Sequence, residues 1–339
     1  MPELLRDLTT LRLGGPAERV VEAATTDELV DVVRHADATG EPVLIVGGGS
    51  NLVVSDEGWA GVVVLVRTVE IRPELDADHV VVTVDAGVPW DDLVALSVRV
   101  GWSGLAAMSG IPGLTGATPV QNVGAYGVEV ADVIDGLRVL DRETGTVEDW
   151  SPQRCGFGFR TSAFKHTDRY VVLDVAFRLL RSPDASPIRY VELARRLGVE
   201  PGEQAPSEQV RAIVLELRAS KGMVLDAADH DTWSVGSFFV NPFVAPELVP
   251  DGCPNWVVDD QVKLSAAWLI ENAGFGRGFG LDRGRGSVAL STKHTLALTN
   301  RGDATTAELL ALARVIRDGV EQRFGIRLRP EAHLAGVGL

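Results

Sequence analysis

The sequence contains little cysteine and histidine, and this limits the metal and disulfide chemistry that it can support. Cys155 and Cys253 are the only two cysteines among 339 residues, too few for a disulfide framework. The six histidines and the two cysteines show no metal-binding spacing such as C-x-x-C or H-E-x-x-H. We therefore expect no bound metal and a reducing, cytoplasmic compartment.

Positive charge is also scarce, because 32 Lys and Arg stand against 47 Asp and Glu and give a net charge of −15. Nucleic-acid binding relies on clustered basic residues that neutralise phosphates, so we expect no nucleic-acid partner. A few well-placed cations can still dominate one cleft, which leaves an anionic small molecule open. No apolar run approaches the length of a membrane span, and MPELLRDLTT shows no signal-peptide pattern, so we expect no membrane insertion.

Local signals predict alternating helices and strands first and a helix-rich region later. Thr25 and Glu28 have the spacing of a capping box, and Gly40 stands where a helix would end. The same signals predict the longest helix over 305–325. Apolar and polar residues alternate over 170–180, which indicates a half-buried strand. The alternation of both element types predicts an α+β protein.

Three glycines follow the apolar run PVLIV and resemble part of a dinucleotide-binding fingerprint. The fingerprint G-x-G-x-x-G opens a helix, but Leu52 replaces its third glycine and a β-rich pattern follows. A Rossmann turn is therefore excluded. Two interpretations remain: a tight turn whose glycines adopt positive φ, or a nest of backbone N–H groups that holds an anion.

A second glycine-rich segment, 104–127, favours the anion nest. It is nearly uncharged and carries polar groups at Ser109, Thr115, Gln121 and Asn122. Glycines allow the backbone to approach a flat ligand, and amide side chains can hydrogen-bond the edge of a heteroaromatic ring. Together the two segments predict a nucleotide or a flavin.

At this point the chain resembles the UDP-N-acetylenolpyruvoylglucosamine reductase (MurB) family, and specifically its type I members. The resemblance covers most of the chain and rests on the order of seven motifs. These are GGGSNLVVSD, IPGLTGATPVQNVGAYG, GFRTSAFK, VGSFFVNP, KLSAAWLIENAG, STKHTLALTN and LRPEAHL.

The resemblance implies an α+β fold of the PCMH/vanillyl-alcohol-oxidase type. Two small lobes would bind FAD without a covalent bond, and a third α+β domain would bind the substrate. The implied boundaries are 1–67 joined by 326–339 for the first lobe, 68–182 for the second, and 183–325 for the third domain. The implied FAD-binding residues are Gly47, Gly48, Gly49, Ser50, Asn51, Ser109, Thr118, Gln121, Asn122, Gly124 and Gly127.

The family reaction reduces UDP-N-acetylglucosamine enolpyruvate to UDP-N-acetylmuramate with NADPH, a step of peptidoglycan precursor synthesis. The resemblance implies that Arg160 binds the enolpyruvyl carboxylate, Ser237 donates a proton, and Glu331 polarises the carboxylate or holds a proton beside it. Each residue also has a simpler interpretation. Arg160 fits a surface arginine at the end of a strand, Ser237 a turn or N-cap serine, and Glu331 an exposed strand glutamate.

Substrate contacts are implied at Tyr190, Arg218, Lys221 and Asn241. Tyr190 is compatible equally with a tyrosine that covers the uridine diphosphate and with a helix-face aromatic packed inward. One departure is Phe159, which stands where the family commonly has a tyrosine before its arginine.

Two rival functions remain. Another flavoenzyme of the same fold is one, although oxidases that attach flavin covalently use a histidine near the glycine turn, and none lies between His35 and His79. A nonenzymatic nucleotide-binding protein is the other, and the joint presence of Arg160, Ser237 and Glu331 argues against it.

Overall fold

The computed structural model describes residues 3–339, in which six α-helices and eighteen β-strands form. The helices are α1 (Thr26–Thr39), α2 (Trp90–Val100), α3 (Val191–Leu197), α4 (Ser207–Ser220), α5 (Ala266–Asn272) and α6 (Thr306–Phe324). The strands are β1 (Ala17–Ala23), β2 (Val43–Val46), β3 (Leu52–Val54), β4 (Trp59–Val66), β5 (Ile71–Leu75), β6 (His79–Asp85), β7 (Trp102–Ser103), β8 (Gly124–Ala125), β9 (Val128–Glu129), β10 (Ile134–Asp141), β11 (Thr146–Trp150), β12 (Tyr170–Arg181), β13 (Phe243–Val244), β14 (Asn255–Val258), β15 (Gln261–Leu264), β16 (Val288–Leu290), β17 (Leu298–Asn300) and β18 (His333–Ala335).

The predicted helix ends are confirmed. The Thr25 hydroxyl accepts a hydrogen bond from the Glu28 N–H at 3.2 Å, while the Glu28 carboxylate accepts one from the Thr25 N–H. Gly40 ends α1 with φ 72°, a left-handed conformation that glycine adopts without steric cost. A second capping box at Thr305 begins α6, and Gly325 ends it.

The first of two compact units, here called the central unit, comprises Glu18–Gly48 and Ala60–Ser220. Its largest sheet has the strand order β11-β10-β12-β6-β5, with every neighbouring pair antiparallel, and β7 also pairs with β12. A smaller sheet, β1-β4-β2, contains the parallel pair β2–β4 and packs against α1. The glycine segment 47–49 therefore begins directly at the end of a buried parallel strand.

Helices α3 and α4 pack within the central unit. Leu193 of α3 lies in the same buried apolar cluster as Val210, Val214 and Leu217 of α4, and this cluster also includes Ala106. This cluster fixes the segment that carries Tyr190 and Arg218. The division of the chain into compact units does not test the domain boundaries 1–67, 68–182 and 183–325, and these stay a prediction.

The second unit, here called the terminal unit, comprises the chain up to Ala17, Gly49–Trp59 and Lys221–Leu339. Its core surrounds α6, where Leu309 and Ile316 are fully buried and each contributes about 1.5–3 kcal/mol relative to exposure. Strand β18 pairs in parallel with β3, with His333 opposite Leu52. This pairing places the short C-terminal strand beside β3, while the joining of 326–339 to a first lobe stays a prediction.

Candidate active site

The three glycines after β2 are required for different reasons. Gly49 has φ 59°, and a Cβ there would lie 2.0 Å from the Leu8 carbonyl oxygen. A Cβ on Gly48 would lie 2.8 Å from the Cα of Gly113, whereas one on Gly47 would approach its nearest neighbour, a Leu114 methyl, no closer than 3.5 Å. The chain's own packing therefore explains Gly48 and Gly49 but leaves Gly47 without a steric reason.

The same segment fits an anionic group of a cofactor. Within residues 3–339, the N–H groups of Gly48 and Gly49 donate to no acceptor. Successive N–H groups of this kind bind anions such as a pyrophosphate.

Two residues later, the Asn51 side chain donates to the Glu331 carbonyl oxygen at 3.4 Å, and the Asn51 carbonyl accepts from the His333 N–H at 2.9 Å.

Polar side chains of the second glycine-rich segment are engaged within the central unit. The Ser109 hydroxyl donates to the Ala106 carbonyl at 2.7 Å, and the Thr118 hydroxyl donates to the Thr115 carbonyl at 2.8 Å. The Gln121 side-chain oxygen accepts from Lys165 Nζ at 3.1 Å. Ser109 and Thr118 are buried, so they shape the backbone of the segment that would line a flavin.

Asn122 holds the short hairpin that follows. Its amide nitrogen donates to Glu129 Oε2 at 2.7 Å and to the Gly158 carbonyl at 3.1 Å, and its amide oxygen accepts from the Ala131 N–H at 3.1 Å. Only 1% of Asn122 is exposed. Gly124 of the hairpin is crowded, because a Cβ there would lie 2.7 Å from the Val128 carbonyl oxygen. At the turn itself, Gly127 has φ 83°.

Arg160 is oriented by this hairpin. Its guanidinium donates to the Gly124 carbonyl at 2.8 Å and to the Asn122 carbonyl at 3.3 Å. Arg160 has φ 52°, and Asn122 (φ 45°) and Tyr126 (φ 52°) are also left-handed. Non-glycine residues in this region cost about 1–3 kcal/mol each and concentrate at functional sites. Three of them in one cluster indicate that the chain holds Arg160 against a conformational cost.

Two predicted substrate residues lie beside Tyr126, a residue outside the predicted site. The rings of Tyr190 and Tyr126 meet edge-on with centroids 5.4 Å apart. Burial raises the pKa of the Tyr126 hydroxyl, while the charge of Arg218 opposes the shift. Burial likewise lowers the pKa of Arg218, against the opposing effects of Tyr126 and Asp91. Tyr190 precedes α3 and remains 41% exposed, so it does not pack inward. The signal that marks Tyr126 in the sequence is an aromatic residue in a short glycine-flanked segment, GAYG.

In the terminal unit, the structure brings Ser237 and Glu331 onto neighbouring backbone segments. The Glu331 N–H donates to the carbonyl of Phe238 at 2.8 Å, and Phe239 forms a bridge with Pro330. Ser237 is half-buried and follows Gly236, whose φ is 71°. Because Asn51 also contacts the Glu331 backbone, three of the predicted site residues are close together here.

Asn241 and Lys221 have different surroundings in the same unit. The Asn241 side-chain oxygen accepts from the Ala266 N–H at 2.9 Å, at the first residue of α5, and so anchors that helix. Lys221 lies close enough to His294 to affect its ionisation. Burial, followed by the positive charges of Lys221 and Arg277, lowers the pKa of His294 to about 4. His294 is therefore neutral near pH 7, and the local positive charge comes from the two basic side chains.

Curated relatives resemble this chain over nearly its full length. A protein named UDP-N-acetylenolpyruvoylglucosamine reductase from Salinispora arenicola is 54% identical, covering 98% of this chain and 94% of that protein. Its namesake from Thermobifida fusca is 53% identical, with 99% and 97% covered. The chain belongs to the UDP-N-acetylenolpyruvoylglucosamine reductase (MurB) family.

The family models and a solved structure agree with this assignment. A model described as the C-terminal domain of UDP-N-acetylenolpyruvoylglucosamine reductase matches residues 227–335, and one described as an FAD binding domain matches residues 17–151. The crystal structure of the Thermus caldophilus reductase (MurB) superposes with a TM-score of 0.68 at 26% identity, covering 99% of this chain and 98% of that one. The predicted α+β fold of the PCMH/vanillyl-alcohol-oxidase type and the prediction of an FAD-dependent oxidoreductase are confirmed.

The two matching models also divide the predicted site residues into groups. Segments 47–51 and 109–127 lie within the FAD binding domain match, and Ser237, Asn241 and Glu331 lie within the C-terminal match. Arg160, with the segment from Tyr190 to Lys221, falls between the two matches. The individual roles of these residues stay predictions.

Proposed function

We propose that the chain reduces UDP-N-acetylglucosamine enolpyruvate to UDP-N-acetylmuramate with NADPH and noncovalent FAD, in the cytoplasm, as a step of peptidoglycan precursor synthesis. The observation that carries the proposal furthest is the hydrogen bond from the Glu331 N–H to the Phe238 carbonyl, which sets Glu331 beside the residue that follows Ser237. The names of relatives more than 50% identical support the substrate.

The described residues suit FAD, because adjacent N–H groups at Gly48 and Gly49 are available to a pyrophosphate and Gly47 leaves room for close approach. When bound, FAD would supply the hydride chemistry, with NADPH as the source of the hydride and the methylene carbon of the enolpyruvyl group as its acceptor. The chain's own part is to bind, to orient and to supply the proton.

Arg160 would bind the substrate carboxylate. A guanidinium is planar, permanently charged and able to donate two parallel hydrogen bonds, as a carboxylate requires. Negative charge develops on this carboxylate as the methylene carbon gains a hydride. A preorganised donor aimed at such charge is typically worth about 3–4 kcal/mol. The two carbonyl contacts of Arg160 hold its guanidinium in place before the substrate arrives.

Ser237 would donate the proton to the carbon next to the methylene. A serine hydroxyl is a weak acid, so the role requires a strongly basic, carbanion-like acceptor and close positioning. Glu331, on the neighbouring backbone segment, would polarise the carboxylate or hold a proton next to it. Tyr190, Arg218, Lys221 and Asn241 would contact the nucleotide parts of the substrate or of NADPH, where basic side chains favour the diphosphate.

Two measurements test the proposal. NADPH oxidation should be rapid only when the enolpyruvyl substrate is present, and rapid oxidation that ignores the substrate would contradict it. In stopped-flow experiments, Ser237→Ala should permit flavin reduction by NADPH but block flavin reoxidation by the substrate. Wild-type turnover in Ser237→Ala would show that Ser237 is not the proton donor.

A further inference from the structure

Asp231 is a buried carboxylate to which the proposed chemistry gives no task. Only 4% of it is exposed, and it lies six residues before Ser237. One carboxylate oxygen accepts from the Thr292 N–H at 2.9 Å and from Arg301 Nη1 at 2.7 Å, and the other accepts from the Thr292 hydroxyl. Burial acts to raise the pKa of Asp231, but these bonds outweigh it and hold the pKa below its usual value, so the group stays charged.

The two partners of Asp231 lie at the ends of one segment, 292–301, which runs beside the Ser237 segment. Two backbone hydrogen bonds join the segments. The Asn300 N–H donates to the Trp233 carbonyl at 3.0 Å, and the Phe238 N–H donates to the Leu296 carbonyl at 2.7 Å. Ser237 therefore lies between two points at which its own segment is attached to 292–301.

The carboxylate binds both ends of this partner segment at once. Because its first contact is to a backbone N–H, it fixes the path of the chain at Thr292, whereas a contact to a side-chain tip would not. Its second contact, to the guanidinium of Arg301, is at a side-chain tip and adds a charged link beside Asn300, whose N–H forms one of the two backbone bonds. Loss of the carboxylate would allow 292–301 to shift, and the Ser237 segment would shift with it.

We propose that Asp231 is a positioning residue for Ser237, acting through Thr292 and Arg301 on the segment to which the Ser237 backbone is bonded. The proposal rests on the proposed function, because it needs Ser237 to be the proton donor. It predicts that loss of the carboxylate impairs proton delivery and spares the reaction with NADPH.

The test compares the two half-reactions in the FAD-loaded protein by stopped-flow absorbance. In Asp231→Ala, flavin reduction by NADPH should proceed as in the wild type. Flavin reoxidation by the enolpyruvyl substrate should slow roughly 10²-fold, the cost that a misplacement of about 1 Å carries. Its solvent deuterium isotope effect should increase, because proton transfer then limits the rate.

Two variants serve as a rescue and a control. Asp231→Asn keeps one acceptor oxygen for Thr292 and Arg301 and can donate to the Thr292 hydroxyl, so it should restore most of the reoxidation rate. Asp229→Asn is the matched control, because Asp229 lies in the same segment but binds the partner segment at a side-chain tip, Lys293 Nζ, at 2.6 Å. Its other oxygen accepts from the Asp231 N–H at 2.9 Å, a bond that the asparagine oxygen can keep. This variant should leave both half-reactions unchanged.

Hydrogen–deuterium exchange of the FAD-free protein gives a readout that does not depend on turnover. The Phe238 and Thr292 amides should exchange faster in Asp231→Ala than in the wild type and in Asp229→Asn. If Asp231→Ala does not fold, Thr292→Ala removes only the hydroxyl contact and should cause a smaller, equally selective slowing of reoxidation.

Equal slowing of both half-reactions, or an unchanged reoxidation rate, would overturn the positioning role. Unchanged exchange at Phe238 would do so as well. A wild-type flavin that the substrate does not reoxidise would instead contradict the proposed function. In that case the exchange experiment still reports whether Asp231 fixes the Ser237 segment.

Discussion

Alanine at each of the three glycines after β2 should separate folding from cofactor binding. At Gly49 the backbone is left-handed and there is no space for a Cβ. At Gly48 only the space is missing, and at Gly47 neither restriction applies. If Gly47 is a glycine because a bound group approaches it, then Gly47→Ala should fold normally and bind FAD poorly. The other two substitutions should primarily weaken the fold.

The magnitudes follow from the distances. A left-handed alanine costs about 1–2 kcal/mol. Overpacking adds about 1–3 kcal/mol, because a Cβ at 2.0 Å from the Leu8 carbonyl forces the backbone to move. Gly49→Ala should therefore lower the free energy of unfolding by about 2–5 kcal/mol. Gly48→Ala carries only the packing cost of about 1–3 kcal/mol.

Gly47→Ala should change the free energy of unfolding by no more than about 0.5 kcal/mol, as an ordinary contact with Leu114 implies. A methyl group that intrudes on a bound pyrophosphate should cost about 1–3 kcal/mol of binding, which raises the Kd for FAD roughly 5- to 150-fold. Urea unfolding of the FAD-free protein and fluorescence titration with FAD measure the two quantities separately.

Gly40→Ala provides the matched control. Gly40 has φ 72° at the end of α1, and no atom lies within 4 Å of a Cβ placed there. This variant should lose about 1 kcal/mol of stability from its backbone conformation and bind FAD with wild-type affinity. A wild-type Kd for Gly47→Ala would refute the reasoning, as would a larger loss of stability in Gly47→Ala than in Gly49→Ala.

Three further predictions concern charge. Arg160→Lys keeps the positive charge but loses the planar pair of donors. Flavin reoxidation by the substrate should therefore slow roughly 10²- to 10³-fold in stopped-flow measurements. An equal slowing of flavin reduction by NADPH would contradict this prediction. In the folded protein His294 should remain neutral until about pH 4, whereas an unfolded histidine binds a proton near pH ~6.5. The stability that the neutral ring provides should therefore fall as the pH decreases from ~6.5 to about 4. NMR titration of the His294 ring would measure its pKa, and stability should depend less on pH in His294→Gln than in the wild type. Burial opposes ionisation of Asp91, but bonds from Arg211 at 2.6 and 2.8 Å outweigh it and lower its pKa. The contribution of Asp91 should be full above pH ~3.9 and lost below it, and Arg211→Met should remove this acid dependence from Tm.

The ends of the main helices could be predicted because their determinants are local. Thr25, Glu28 and Gly40 lie within one helix length of each other, and the hydrogen bonds that they form need no other part of the chain. The strand over 170–180 could be predicted for the same reason, since alternation is a property of neighbouring residues. The expected half-burial is wrong for Val171–Val175, which are buried throughout because distant segments cover both faces of the strand there. The C-terminal strand His333–Ala335 is different, because its partner β3 lies far away in the sequence.

The carboxylate of Asp231 could not be recognised from the sequence. Its partners Thr292 and Arg301 lie 61 and 70 residues away, and no spacing rule joins residues at such separations. Tyr126 is hard to recognise for a related reason, because its neighbours, Tyr190 before α3 and Arg218 in α4, follow much later in the chain. Motif order identified the family and its candidate residues, whereas the contacts that orient them arise only when distant segments pack.

The glycine segment shows why a motif can have both a structural and a functional explanation. From the sequence, a tight turn and an anion nest are alternative explanations of the three glycines. In the structure, Gly48 and Gly49 have features of both, because their backbones are crowded and their N–H groups are available. Both properties have one cause. Where Gly113 and Leu8 approach the backbone this closely, a side chain cannot fit, and the N–H groups beside them remain uncovered by side-chain atoms. A backbone donor needs no side chain, so crowding fixes the identity of these residues while their N–H groups stay available to an anion. Gly47, which no such crowding explains, is therefore the position where a change in FAD affinity reports ligand contact alone.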